Sequence, residues 1–236
     1  MKLYGKNPVI ERLRSDPASV RKLYLQRKTD LSEVVRAAKS AGVDFESVDK
    51  AWFERSGGTV HTQGVMAEVD DFVYTPFQEV LEDCSKARTT LVFLDGITDP
   101  QNMGGIFRSL ACIGGFSVVI PEFDSAEVNE TVMRVACGGE NYLKIARVPN
   151  LVKAAGRCRD KGITIYGTVV DGGEEIGKVK IKRPLVIIIG SEGKGIRPGL
   201  LKCIDKGLFL PMKGAPLSFN ASVAAALVAY EISKVG

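Results

Sequence analysis

Residues 91–121 read LVFLDGITDPQNMGGIFRSLACIGGFSVVIP. The runs LVFLDG and FSVVIP are apolar on nearly every side, so neither can lie with one face in water. Between them PQNMGGIFRSLACIGG carries the start signals of a helix, with Asp99 as N-cap and Pro100 at the first helical position. A strand, a helix and a second strand of this kind form the repeating unit of a parallel sheet covered by helices. The alternation runs on through NETVMRVACGG, KIARV, NLVKAAGRCRDKG, ITIYGTVV, RPLVIIIG, PGLLKCID and LFLPM to a final apolar helix. Ligands of such sheets sit beyond the carboxyl ends of the strands, where strand order reverses. The loops that follow the strands are therefore where chemistry is expected.

Upstream the texture differs. NPVIERLRSD and TDLSEVVRAAKSAG have helical apolar spacing, the second closed by Gly42 as a C-terminal cap. RKLYL, VDFESV and GVMAEVDDF read as short strands. Pro76 then opens a polar helical segment ahead of the apolar strand at Leu91. The expectation is a small α/β domain over 1–75, a linker over 76–88 and a parallel-sheet α/β domain over 89–236. A chain of 236 residues is long enough for both.

Composition narrows the function classes. Apolar residues make up 45% and charged residues 25%, as in ordinary globular proteins. The first residues, MKLYGKNPVIERLRSDP, lack the apolar core of a signal peptide. The apolar runs fall short of the roughly 20 residues that span a bilayer, so a cytoplasmic protein without a membrane partner is expected. Five cysteines (84, 112, 137, 158 and 203) stand at wide spacings with no CxxC, and His61 is the single histidine. Most of these thiols are expected as packed core residues, and the pattern supports neither a disulfide framework, a metal site nor a hydrolytic triad. The net charge of +4 is unevenly placed: residues 1–30 hold eight Lys/Arg against three Asp/Glu, and residues 31–90 hold six against eleven. A basic N-terminal face suits a nucleic-acid partner or an ordinary solvated surface.

Three strand-end loops carry polar side chains. In ITDPQNMGGIFRS, Asn102 falls in the first turn of the helix, where free N–H groups favour an anion. Arg108 follows roughly 120° around the axis. GSEGKGIRPG after PLVIIIG matches neither the phosphate loop nor GxGxxG, and it centres Glu192 in a glycine-rich turn suited to a cation rather than a polyphosphate. LPMKGAPLSFNASVA leads into the last helix, with Ser218 as its natural N-cap and Asn220 expected inside the first turn. A buried amide at the head of an apolar helix needs partners, so these groups point to a cleft.

Together the three loops resemble the SpoU family of S-adenosylmethionine-dependent RNA 2′-O-ribose methyltransferases, of the SPOUT superfamily. DPQNMGGIFRS, IIIGSEGKGIR and LPMKGAPLSFNASVA resemble its three ordered motifs, and ACGGENYLKIARV resembles the segment between the first two. LYGKNPVIERLRSDPASVRKLYL and HTQGVMAEV are similar to the substrate-binding domain of the family's two-domain members. The resemblance implies a deep trefoil knot in the C-terminal domain and a homodimer. It also implies Asn102, Arg108, Glu192, Ser218 and Asn220 as the catalytic set. S-adenosyl-L-methionine would be held by backbone groups around Gly190, Leu210, Met212 and Phe219, with Thr168 nearby and no metal. Phe219 departs from the Leu of most relatives. In this family Asn102 would orient Arg108 or the ribose, and Glu192 would bond Asn102 or favour the donor's positive charge.

The two-domain form favours large-subunit (23S) ribosomal RNA as the substrate, with transfer RNA second and a ribosome-protecting antibiotic-resistance role also open. A non-catalytic RNA-binding protein on the same scaffold is the competing class, and donor binding separates the two. A Rossmann-type oxidoreductase or NTP-dependent enzyme lacks its glycine fingerprint or phosphate-loop lysine here.

Overall fold

The computed structural model describes residues 1–57, 62–87, 89–215 and 217–234. His61 and Pro216, quoted above, lie outside them, as does Arg88 at the end of the expected linker. Two sheets organise the chain among the described residues. The smaller is built from β1 (Lys2–Tyr4), β2 (Val20–Gln26), β3 (Glu46–Val48) and β4 (Val65–Val69), in the order β1-β4-β2-β3. Helices α1 (Lys6–Ser15), α2 (Ser32–Ala41) and α3 (Lys50–Gly57) accompany it. Gly42 ends α2 in the left-handed region at φ 68°, the conformation a glycine cap supplies without strain.

Residues 76–88 were expected as a linker, and α4 (Phe77–Ala87) occupies most of them. Phe77, Val80, Leu81 and Cys84 of α4 are buried in one cluster with Phe93 and Ile188 of the larger sheet. Cys158 of α7 (Leu151–Asp160) joins the same cluster. Burial pushes the Cys84 thiol up to about 11 and the Cys158 thiol up to about 12, so both behave as core residues.

The larger sheet has seven strands, all parallel: β5 (Thr90–Asp95), β6 (Phe116–Pro121), β7 (Ile145–Val148), β8 (Thr164–Thr168), β9 (Glu174–Glu175), β10 (Leu185–Gly190) and β11 (Lys206–Phe209). Their order is β7-β6-β5-β10-β8-β11-β9, so the direction of winding reverses between β5 and β10. Five of six residues in β10 and all six in β5 and in β6 are buried, as the double-sided apolar runs require. Covering helices are α5 (Pro100–Ile113), α6 (Glu130–Ala136), α7 (Leu151–Asp160), α8 (Pro198–Leu201) and α9 (Ala221–Ser233). One apolar core runs without a break from Leu3, Val9 and Leu13 beside the small sheet to Phe107, Val132 and Met133 beside the large one. Among the described residues no helix is long and apolar enough to cross a membrane.

Candidate active site

The reversal between β5 and β10 brings the three polar loops to one edge. α5 begins as its sequence requires, with Asp99 accepting from Gln101 N at 2.9 Å and Pro100 in the first turn. Its inner face buries Met103, Ile106, Phe107 and Leu110, which leaves Asn102 at the sheet's carboxyl edge. After β10 the chain turns back on itself through Ser191 N to Gly195 O (3.2 Å) and Gly195 N to Ser191 O (2.9 Å). Gly193 and Gly195 stand at φ 78° and 65°, which lets Glu192 project from a tight turn.

The helix α9 starts later than its sequence suggests. Its N-cap is Asn220, whose side chain accepts from Ser222 N at 2.9 Å, and Ser218 lies two residues upstream as an exposed loop residue. The carboxamide reaches the second N–H of the helix from Ncap, and the Ser218 hydroxyl is too far back to do so. Asn220 Nδ2 donates to Asn102 Oδ1 (2.8 Å) and to Glu192 Oε1 (2.6 Å). Glu192 Oε1 also accepts from Asn102 Nδ2 (3.2 Å) and from Ala221 N (2.9 Å). A carboxylate thus sits on the free N–H groups of a helix N-terminus, where the helix dipole favours it. Three residues from three loops form one closed hydrogen-bonded set.

Beside this set lies a cavity of about 280 Å³, near the lower end of the range of roughly 300–1,000 Å³ usual for ligand clefts. Thr168, Gly190, Leu210, Met212 and Phe219 all line it, together with Glu192 and Ser218. Ile189, Leu208 and Val228 add apolar lining, and Ser191 joins Thr168, Glu192 and Ser218 as polar lining. Thr168 Oγ1 is turned away to Ile188 O at 3.2 Å.

Arg108 stands apart from Asn102, Glu192 and Asn220. It is exposed on α5, and its Nη1 donates to Cys137 Sγ at 3.5 Å. Asn102 spends its amide on Glu192 and Asn220 and does not orient Arg108.

Sequence reasoning passed over one pair that holds the site together. Asp95, fully buried at the end of β5, accepts from Arg197 N (2.8 Å) and from Arg197 Nε (2.6 Å). This clamp fixes the far end of the turn that carries Glu192. A carboxylate ending an otherwise apolar strand was the available signal, because a buried Asp needs a partner.

Two family models match the chain: the SpoU rRNA Methylase family over residues 89–230, and RNA 2′-O ribose methyltransferase substrate binding over residues 2–75. Among similar proteins, an uncharacterized tRNA/rRNA methyltransferase of Mycobacterium avium is 35% identical over 234 residues, covering 98% of this chain and 76% of the relative. A Bacillus subtilis protein, YacO, assigned to the TrmH family of tRNA/rRNA methyltransferases, is 32% identical and is covered over 93% of its length, against 97% of this chain. The fold matches that of the SpoU methyltransferase AviRb of Streptomyces viridochromogenes in complex with AdoMet, with a TM-score of 0.80 at 21% identity over 99% of this chain and 89% of that one. An AdoMet-bound rRNA methyltransferase of Sinorhizobium meliloti gives 0.79 at 18% identity, over 99% and 86%.

Proposed function

The chain belongs to the SpoU family of RNA methyltransferases, and we propose that it transfers a methyl group from S-adenosylmethionine to a ribose 2′-hydroxyl in structured RNA, foremost large-subunit (23S) ribosomal RNA. The observation that carries the reading is the closed set of Asn102, Glu192 and Asn220, whose Glu192 also lines the 280 Å³ cavity. The cavity suits the donor. Apolar lining at Ile189, Leu208, Leu210 and Phe219 accepts a flat base, and the Glu192 carboxylate in the same lining favours a cation. S-adenosylmethionine, when bound there, would supply an electrophilic methyl group on a sulfonium.

The chain's own residues have to hold the two reactants and accommodate one proton. Asn102, Glu192 and Asn220 fix the 190–195 turn against α9, and Ser218 lines the cavity beside Phe219. Holding reactants in line is worth on the order of 7–11 kcal/mol in favourable cases. Arg108 takes the phosphate next to the target ribose. A guanidinium carries its charge at all working pH values and offers paired donors, so it clamps a phosphate and offsets the charge growing on the ribose oxygen. The proton leaves through that phosphate or a water. Arg108 is exposed and, among the described residues, held only by a weak N–H···S contact, so RNA can draw it away from Cys137.

The small sheet and its helices, matched by the substrate-binding model, grip RNA through phosphates and shape. Two copies pair through α9, whose Val223, Leu227 and Tyr230 form an outward apolar stripe at i, i+4 and i+7. The trefoil knot belongs to the same proposal, supported by the return of the C-terminal segment onto the 190–195 turn through Ala221 N and Asn220.

The test is to incubate the protein with methyl-labelled S-adenosylmethionine and, separately, unmodified ribosomal and transfer RNA transcripts, then map the labelled nucleoside. A 2′-O-methyl nucleoside in the ribosomal pool is the expected result. Label only in transfer RNA would move the substrate, and label on a base would overturn ribose chemistry. Arg108→Lys is expected to lose most turnover, because an ammonium cannot form the paired contact. Near-normal turnover in that variant would remove the clamp from the mechanism.

A further inference from the structure

Between α1 and α5 lies the turn that follows α6, residues 137–142. Its tightest residues are glycines for a visible reason. A Cβ on Gly138 would collide with Cβ of Glu11 on α1, and one on Gly139 would stand 3.0 Å from Cα of Arg108 on α5. The turn is thus pressed on one side by the N-terminal helix and on the other by the backbone of Arg108. Cys137, at φ 54°, starts the turn and holds the Arg108 guanidinium.

At the centre of this junction is a buried ion pair that the site described above does not use. Arg12 of α1 and Glu140 of the turn are 7% and 1% exposed, with Arg12 Nη2 at 3.6 Å from Glu140 Oε1. Met133 Sδ lies 3.8 Å from Arg12 Nη2. Asp16 approaches Arg12 Nη1 at 3.7 Å, and Asn141 Nδ2 donates to Glu140 Oε1 at 3.3 Å. Among the described residues, Arg12 Nε and Glu140 Oε2 have no hydrogen-bond partner. Burial is the main influence on Glu140 and raises its pKa, against the pull of Arg12. A half-satisfied buried pair is a poor source of stability, and an apolar pair of similar volume would serve at least as well. What it provides is direction: the two groups meet in only one register of α1 against the turn.

We infer that Arg12 and Glu140 are positioning residues, whose buried pair sets the register of the 137–142 turn and through Gly139 and Cys137 sets where Arg108 can reach. The inference rests on the reading of Arg108 as the phosphate clamp. It makes the N-terminal unit part of the active-site machinery, since RNA bound to that unit loads α1, and α1 meets Arg108 through one turn.

Two variants test it in the full-length protein: Glu140→Gln, and the apolar double variant Arg12→Met with Glu140→Leu. Measured are turnover at saturating RNA and donor, donor affinity by calorimetry, the unfolding midpoint, and the alkylation rate of Cys137 relative to exposed Cys112 by peptide mapping. Turnover should fall on the order of 10- to 100-fold, the scale of a misplacement near 1 Å. Donor affinity should hold, and Cys137 should label faster as Arg108 moves off it. The double variant should unfold at the wild-type midpoint or above it, which a merely structural pair that is needed for folding would not allow. Unchanged turnover and unchanged Cys137 labelling in either folded variant would overturn the inference. Faster Cys137 labelling with a wild type that methylates no RNA would uphold the coupling and sink the RNA reading instead.

Discussion

Asn220 does two jobs that a substitution can separate. As N-cap it accepts from Ser222 N, and as a crosslink it donates to Asn102 and Glu192. Asn220→Ala loses both and should cost about 1 kcal/mol of stability, the usual worth of such a cap. Asn220→Ser keeps a capping oxygen and loses the crosslink, so its unfolding midpoint should stay near wild type while donor affinity and turnover fall. Equal activity in the Ser variant and the wild type, read by calorimetry and methyl transfer, would show that the crosslink is dispensable. At this scale the sequence was legible where chemistry demands particular residue types: Asn102, Glu192 and Asn220 meet as the motifs suggest. Ser218 was misread as the cap because any Ser, Thr, Asp or Asn near a helix start can serve, and only geometry chooses among them. Asp95, Arg197, Arg12 and Glu140 escaped notice because their partners lie far along the chain.

The turn between β10 and α8 shows what an element needs beyond its side chains. A Cβ on Gly190 would overlap the carbonyl carbon of Gly195 and fall 2.5 Å from Ile196 N, both backbone atoms that cannot swing aside. Gly190→Ala should therefore push the turn off Asn220 and Ala221, at a stability cost of about 1–3 kcal/mol typical of overpacking. Donor affinity should drop more than stability does, because Glu192 rides on the displaced turn. A calorimetric titration that found wild-type donor affinity in this variant would mean the turn is not part of the donor site. Elements long enough to show a period were readable, including β5, α5, β6 and the buried β10. The missed strands, β1 at three residues and β9 at two, are too short to carry any alternation. α4 shows a different limit: its polar outer face dominates the pattern, and only packing reveals that Phe77, Val80, Leu81 and Cys84 belong to the core.

At the scale of the whole molecule, the last helix is the least settled by a single chain. Ala221, Ala225, Val228, Ala229 and Ile232 turn inward, while Val223, Leu227 and Tyr230 remain 45%, 38% and 55% exposed on the opposite stripe. An apolar run on all sides could be read from the sequence, but which side meets the sheet and which meets something else could not, since hydrophobicity carries no address. The chain's threading is equally silent, because local patterns are the same in knotted and unknotted paths. If a second copy covers the stripe, two charges placed on it should split the assembly without touching the inward face. Val223→Glu with Leu227→Glu should move the species seen by light scattering from twice 25.5 kDa to 25.5 kDa. A wild type that already runs as a 25.5 kDa monomer at micromolar concentration would remove the dimer from the proposal. A variant that stays dimeric would place the interface on another face and leave the stripe to a different occupant.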